Sequence, residues 1–457
     1  MYSDASNSYH GFLRASNGTI TPFDIPGAGT GKHQGVQAPL SINTNGEITG
    51  AYKDASDVYH GFIRLADGTI NSFDAPGAGT SIYQGTKPIS INAAGAVTGG
   101  YLDASYLYHG FMRPSTGPIL TFDAPGAGGT GSYKGLGNGT EPLSINTLGV
   151  VAGNYTDASG ARHGFVRAVS GAIKEFNAPG TGTAGIGINA AGASAGAYGD
   201  ATTLLHGFVR APNGTITTFD IPGAAAGLLI GGTGGFSINT AGFSINTAGQ
   251  VTGTYSDASD VFHGFVLTPT TTTLSSSLNP SIYGQVVTLT AVVTSIAGAP
   301  ANGETVTFME GTKALGTGTL SGGSASLTIS TLKAGTNVIK AVYGSGDSNF
   351  LGSTSKSVSQ VVSKATTKTA LASSLNPSNV GQAVTFTARV APQFSGTVTG
   401  TVTFYDGTTA LKTVALSGGV AKCATSSLTK GGHTITATYS GSTSFDGSST
   451  SLTQTVN

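Results

Sequence analysis

Charge is what this sequence has least of. Asp, Glu, Lys and Arg make up 9% of its residues, against roughly 25% in an ordinary soluble domain. Acids and bases are equal at 21 each, so the formal net charge is zero. Such a surface lacks the basic field that nucleic acid or an anionic membrane requires, and both are excluded as partners. Trp is absent and Cys423 is the single cysteine, so no intrachain disulfide can form. With no His or acid beside it in sequence, Cys423 reads as a small strand residue rather than a reactive thiol. No run approaches the ~18–20 apolar residues of a membrane helix. The most apolar stretch, residues 224–230, is short and bounded by glycine. No secretory leader is visible, because Met1-Tyr2-Ser3-Asp4 already lies inside the first repeat; we expect an export signal upstream of a truncated start.

What the chain has instead is glycine, 71 residues of it. That much glycine breaks long helices and suits a chain that turns every few residues. It is distributed in a repeat. His-Gly-Phe begins at His10, His60, His109, His163, His206 and His263, at intervals of 50, 49, 54, 43 and 57 residues. The last interval holds a tandem duplication, residues 236–242 followed by an identical 243–249, and removing its seven residues restores 50.

The second repeat divides into four strand-like segments: residues 39–43, 47–52, a third through His60-Gly61-Phe62-Ile63-Arg64, and 69–74. Asn43-Thr44-Asn45-Gly46 is a turn in which Asn bonds to the backbone and Gly takes positive φ. Asp67-Gly68 is a two-residue hairpin signal. Four short antiparallel strands per ~50 residues is the pattern of a β-propeller blade. One such sheet cannot bury both faces, so copies must stack. The first copy lacks the Ser-Ile-Asn strand and the last lacks the Phe-Asp strand, which leaves the blade number open. The combination Ser-Ile-Asn, Asp-Ala-Ser, His-Gly-Phe and Phe-Asp-x-Pro-Gly resembles the extracellular HAF-type repeats of bacterial proteins over residues 2–267. The resemblance implies fold and export rather than an activity.

Beyond the Thr-rich linker that begins at Pro269, the alternation has period two, as in Val287-Thr288-Leu289-Thr290 and Val384-Thr385-Phe386-Thr387. These are half-buried sandwich strands. Leu278-Asn279-Pro280 returns as Leu375-Asn376-Pro377, and Val306-Thr307-Phe308 as Val402-Thr403-Phe404. Two copies of roughly 95 residues and about seven strands each fit immunoglobulin-like domains. Both resemble bacterial Ig-like repeats of large surface proteins, which implies a spacer or adhesive role. The expected class is all-β: a β-propeller-like domain of six repeats at 1–268, then Ig-like sandwiches at 269–363 and 364–457.

The recurring polar residues are read as architecture. Asp54, Ser56 and His60 have near-copies on nearly every repeat, whereas a hydrolase triad converges on one nucleophile. We expect the Asp to cap its turn and the His to bond backbone between strands. One Asp per turn is too few for a calcium loop, and six His on separate repeats do not converge on zinc. Arg14, Arg64, Arg113, Arg167 and Arg210 are expected to pair with strand carboxylates such as Asp24, Asp74 and Asp123.

The ligand-like positions are in the variable loops: His33-Gln34, Tyr83-Gln84 and Tyr133-Lys134, spaced 50 residues apart. Aromatic rings beside amide or ammonium donors suit sugar recognition; the bland alternative is that they pack their loops. The expected function is a non-catalytic, exported or surface-displayed bacterial protein, monomeric and without cofactor or metal. Its loop face would present a site for an extracellular glycan or surface protein, on an Ig-like stalk. Two rivals remain: a propeller enzyme acting on polysaccharide, which would need unique acids such as Glu47, Glu141 or Glu175, and a purely structural spacer.

Overall fold

The computed structural model describes residues 1–128, 138–201, 205–221, 224, 243–257, 259, 261–346 and 349–457. Every regular element among them is a β-strand. Contacts divide the chain into two units, one of residues 1–269 and one holding the rest apart from 347–349.

In the first unit each His-Gly-Phe motif lies near the start of one strand of a small antiparallel sheet, the third strand where the sheet has four. The second sheet is typical, with strands Gly35–Ile42, Ile48–Lys53, Tyr59–Arg64 and Ile70–Phe73. Its first strand begins four residues before the sequence pattern implied, so the His33-Gln34 loop runs straight into it. The third, fourth and fifth sheets repeat this arrangement. The first sheet has only Tyr2–Ser3, Tyr9–Arg14 and Ile20–Phe23, and the sixth only Ser244–Ile245, Val251–Ser256 and Phe262–Leu267. The second copy of the duplication supplies the Ser244–Ile245 strand; the first copy lies outside the described residues.

The repeated residues explain the stacking. Phe62, Phe111, Phe165 and Phe208 are fully buried. Each meets the fourth-strand Phe of the preceding sheet edge-on: Phe23, Phe73, Phe122 and Phe176, at centroid separations of 5.9–6.2 Å. The glycine between His and Phe leaves room for the fourth strand's own ring. A Cβ at Gly61 would sit 2.8 Å from Phe73 and 2.8 Å from Pro88 of the next sheet. Sequential sheets are also joined by one parallel pair each, Tyr9 with Gly35, Tyr59 with Gly85 and Tyr108 with Gly139.

The first strands of the second to sixth sheets end at a second shared feature. Asn43, Asn92, Asn146 and Asn189 each donate Nδ2–H to the main-chain carbonyl of the next Asn in the series, ending on Asn246, all at 3.0 Å. Their Oδ1 atoms accept N–H groups of their own turns, as Asn43 does from Asn45 and Glu47. The five Asn turns border a single cavity of about 310 Å³. A local turn signal thus doubles as an inter-sheet lock.

The second unit contains two sandwiches. The first pairs a three-stranded sheet (Thr270–Ser276, Val287–Ser295, Ser324–Ile329) with a larger one built on Thr305–Glu310 and Gly335–Tyr343. The second repeats it, with Thr401–Asp406 and Gly431–Tyr439 in the larger sheet. Alternation buries Val287, Leu289, Ala291 and Val293 in one core and Val384, Phe386, Ala388 and Val390 in the other. Cys423 lies in that second core, and burial raises its thiol pKa. The Leu-Asn-Pro motif has a clear role. Asn279 acts as a piece of strand, donating to the Ser359 carbonyl and accepting from Val361 N–H, and Asn376 does the same with Thr453 and Thr455. Gln360 and Gln454, both fully buried, spend their amides on Ser276 and Ser281, and on Ser373 and Ser378.

Candidate functional site

Each His-Gly-Phe histidine lies between side chains rather than bonding backbone, which corrects the sequence expectation. His10, His60, His109 and His206 place Nδ1 on Asp24, Asp74, Asp123 and Asp220, at 2.5–3.0 Å. Their Nε2 atoms face Asp4, Asp54, Asp103 and Asp200 at 3.4–3.6 Å. Each ring stacks on the second-strand tyrosine, as His109 does on Tyr101 at 5.0 Å. The turn Asp does cap its loop: Asp54 Oδ1 accepts N–H from Ser56 and Val58. The arginines are also corrected. The carboxylates assigned to them are taken by histidine, and Arg64, Arg113, Arg167 and Arg210 instead lie over Phe23, Phe73, Phe122 and Phe176 of the preceding sheet, 4.8–5.4 Å from the ring centres. Guanidinium stacking on an aromatic face is favourable where water is excluded. Among the described residues, no group of three or more His, Cys, Asp or Glu is placed to hold a metal ion.

These His–Asp clamps give stability a pH window. The bond from Asp24 raises the His10 pKa above 6.5; at His206 burial works the other way, but Asp220 and Asp200 prevail and the pKa is again raised. Hydrogen bonds from Ser6 and Ser8 hold Asp4 down at about 2, and the His263 bond lowers Asp257. A raised His contributes fully below its unfolded pKa and is lost as pH rises through the folded one. A depressed Asp contributes fully above 3.8 and is lost as pH falls. The first unit should therefore melt highest between about pH 4 and 6.5. In His206→Gln the decline from pH 6.5 to 8 should flatten; an unchanged slope in thermal melts would refute the assignment.

The loop candidates separate into two kinds. Gln34 and Gln84 point inward. Gln84 is 2% exposed, its Oε1 accepting Ser81 N–H and its Nε2 donating to the Ala104 carbonyl. Gln34 is bonded likewise to Gly31 and Ala55. Both amides are spent on backbone. His33 and Tyr83 reach outward from a left-handed backbone, φ 64° and 65°. For bulky residues that conformation is strained, and it persists only where the surroundings impose it. Here the N–H groups of His33 and Tyr83 are held by the Asn7 and Asp57 carbonyls. Tyr133 and Lys134 lie outside the described residues.

Around Tyr83 the structure assembles a cluster that the sequence reading missed. Lys53 Nζ is 4.8 Å from the Tyr83 ring centre and 5.2 Å from that of Tyr59. Lys87 Nζ is 4.1 Å from the Tyr59 centre and donates a hydrogen bond of 3.0 Å to the Tyr108 hydroxyl oxygen. Glu141 follows at the equivalent strand position of the next sheet and takes a hydrogen bond from Asn154. Burial brings the Lys87 pKa down to about 8, Lys53 adding to the effect and Glu141 opposing it. Burial also raises Tyr59 and Tyr108. In the first sheet Tyr9 and His33 form the matching pair, joined at 2.8 Å. The sequence signal for this cluster was the tyrosine before His-Gly-Phe at positions 9, 59 and 108 and the polar residue two places after Gly35, Gly85 and Gly139. The arrangement offers aromatic faces, two ammonium groups and phenol hydroxyls at one edge, the donor set of a hydroxylated ligand.

With this geometry described, the class of the second unit can be stated. Residues 271–363 and 371–457 each match the family of bacterial Ig-like domains, group 3. No curated protein matches the sequence. Among solved structures, the chain is similar to fibronectin(III)-like modules of Clostridium thermocellum CbhA, at 16% identity, 41% of this chain, 94% of that one and a TM-score of 0.18. It is also similar to the Yersinia pseudotuberculosis adhesin InvE (17% identity, 40% of this chain, 58% of that one, TM-score 0.23). A third likeness is to the Escherichia coli adhesin FdeC (13% identity, 80% of this chain, 93% of that one, TM-score 0.23). Scores this low carry no argument about function.

Proposed function

We propose that the first unit is a closed β-propeller of HAF-type sheets, exported to the bacterial surface and held out by the Ig-like pair. In this reading it binds an extracellular glycan without catalysis, as a monomeric adhesion module. The observation that supports it is the Tyr59–Lys87–Tyr108 cluster with Lys53 and Tyr83 beside it: the half-buried Lys87 and the buried Lys53 lie against aromatic rings, with Asp57 3.8 Å from Lys53. The Asn series and the shared cavity of about 310 Å³ support the ring arrangement, and the family of the second unit supports surface display.

A glycan-array screen of the full chain beside Tyr83→Ala and Lys87→Met variants tests this. We expect specific glycans to be retained by the wild type and lost by both variants. Silence from all three would favour a spacer, and turnover of a bound polysaccharide would replace the reading with an enzymatic one.

A further inference from the structure

The boundary between the fourth and fifth sheets breaks the repeat in several ways at one place. Between the second and third sheets the connection is long, residues 74–84. A conserved-geometry bond measures it: Ala75 N–H donates to Thr86 Oγ1 eleven residues on, and Ala178 N–H to Thr183 Oγ1 only five residues on. The connection into the fifth sheet is thus six residues shorter. Gly182, at the position of Gly85, has no neighbour within 4 Å of where its Cβ would be, and Ala184 stands where Lys87 and Glu141 stand in sister sheets. Both line a cavity of about 510 Å³, within the ~300–1,000 Å³ of small-molecule sites.

Two further departures change the charge of that cavity. Arg162 stands where Tyr9, Tyr59 and Tyr108 stand elsewhere, and Asn177 replaces the aspartate found at 24, 74, 123 and 220. Both line the cavity, together with His163, Thr181 and Leu205, and no carboxylate does. Arg162 forms no ion pair or hydrogen bond among the described residues, unlike the stacked arginines of the third strands. Asn177 Oδ1 is bonded to His163 Nδ1 at 2.8 Å, which leaves its Nδ2 as a donor. The nearby Asp157 is already engaged by Ser159, Ala161 and His163. A cation, an amide donor and small apolar walls therefore line one cavity.

We infer that this cavity binds a carboxylated sugar, a hexuronic acid, with its carboxylate on Arg162 and Asn177. A planar guanidinium accepts a carboxylate in two parallel hydrogen bonds, and the Gly, Ala and Leu205 walls suit the ring. The site goes beyond the rim proposed above and shares no residue with it, so either can fail without the other.

The test is calorimetric titration of the full chain with sodium glucuronate, with neutral glucose, and with a glucuronate-containing oligosaccharide. Glucuronate should bind at least about tenfold more tightly than glucose, through the charge-assisted pair, and more weakly as salt is raised. Binding of the free acid alone would identify a metabolite site; tighter binding of the oligosaccharide would identify a unit of a polymer. Arg162→Gln should lose about tenfold in affinity with an unchanged melting temperature, because its side chain supports nothing else. Replacing residues 180–181 with the sister loop 77–84 should abolish binding, and Lys87→Met should leave it intact. Equal affinity for glucuronate and glucose, no binding at millimolar ligand, or an unaffected Arg162→Gln variant would each overturn the inference.

Discussion

Phe165→Ala should lower the stability of the first unit by about 3–5 kcal/mol, the cost of emptying a fully packed aromatic site. The ring is 0% exposed. It packs with Ala124, Ile145, Val151 and Tyr155 and meets Phe122 of the preceding sheet edge-on at 6.1 Å. Ile145, Val151 and Tyr155 belong to two other strands of its own sheet, while Phe122 belongs to the preceding sheet and Ala124 to the connection after it, so much of the loss falls on the contact between sheets. In a stacked array that contact is the main source of stability, since no single sheet can bury its own faces. Scanning calorimetry of the full chain reads the effect directly. The transition of the first unit should move down while that of the Ig-like pair stays in place. Phe262, 64% exposed, is the control, and its alanine variant should fall within about 0.5 kcal/mol of wild type. A Phe165→Ala loss below about 1 kcal/mol would show that stacked phenylalanines do not hold the array together.

Gly85→Ala should be among the most damaging substitutions of a single small residue, together with its counterpart Gly139→Ala. Gly85 has φ +109°, and a Cβ there would overlap the carbonyl oxygen of Tyr59. The backbone conformation alone costs about 1–3 kcal/mol for a residue with a side chain. The overlap adds to this, because Tyr59 and Gly85 form the one parallel pair joining the second and third sheets. Separating them also moves Tyr59 away from Lys87, so glycan binding at the rim should weaken along with stability. Gly182→Ala is the matched comparison: the same repeat position, φ +69°, and nothing within 4 Å. It should cost roughly 1–2 kcal/mol from left-handed backbone strain, with no steric term. Equal losses at the two positions would mean that the Tyr59 carbonyl is not what makes Gly85 necessary.

How legible these features were depends on how local their causes are. The hairpin at Asp67-Gly68 was readable in its place but not in its type: Gly68 takes positive φ and Asp67 does not, and Gly68 N–H bonds the Leu65 carbonyl, which makes a type I turn closed by a left-handed glycine rather than a two-residue loop. The sandwich cores were readable because a period of two sorts Val287, Leu289 and Ala291 to one face without knowledge of what they face. The partners of His60 and Arg64 were misassigned for the opposite reason. Both choices were plausible within one repeat, but the decisive neighbours were a carboxylate fourteen residues away and a phenylalanine of the preceding sheet. Gln84 looked like a ligand donor because its loop is variable. Its burial follows from the next sheet's Ala104 carbonyl, which the loop cannot announce.

From the sequence alone came the β-class, the repeat length, the turn chemistry and the presence of two sandwiches, since each rests on a periodicity or a dipeptide. Only the tertiary structure decided that Lys53 and Lys87 both lie against the ring of Tyr59, that five asparagines join in series, and that a cavity opens beside Arg162 where the connection is six residues shorter. Those facts depend on distances between neighbouring sheets. Such distances are set by the packing of phenylalanines roughly thirty to forty-five residues apart, and no local pattern carries them.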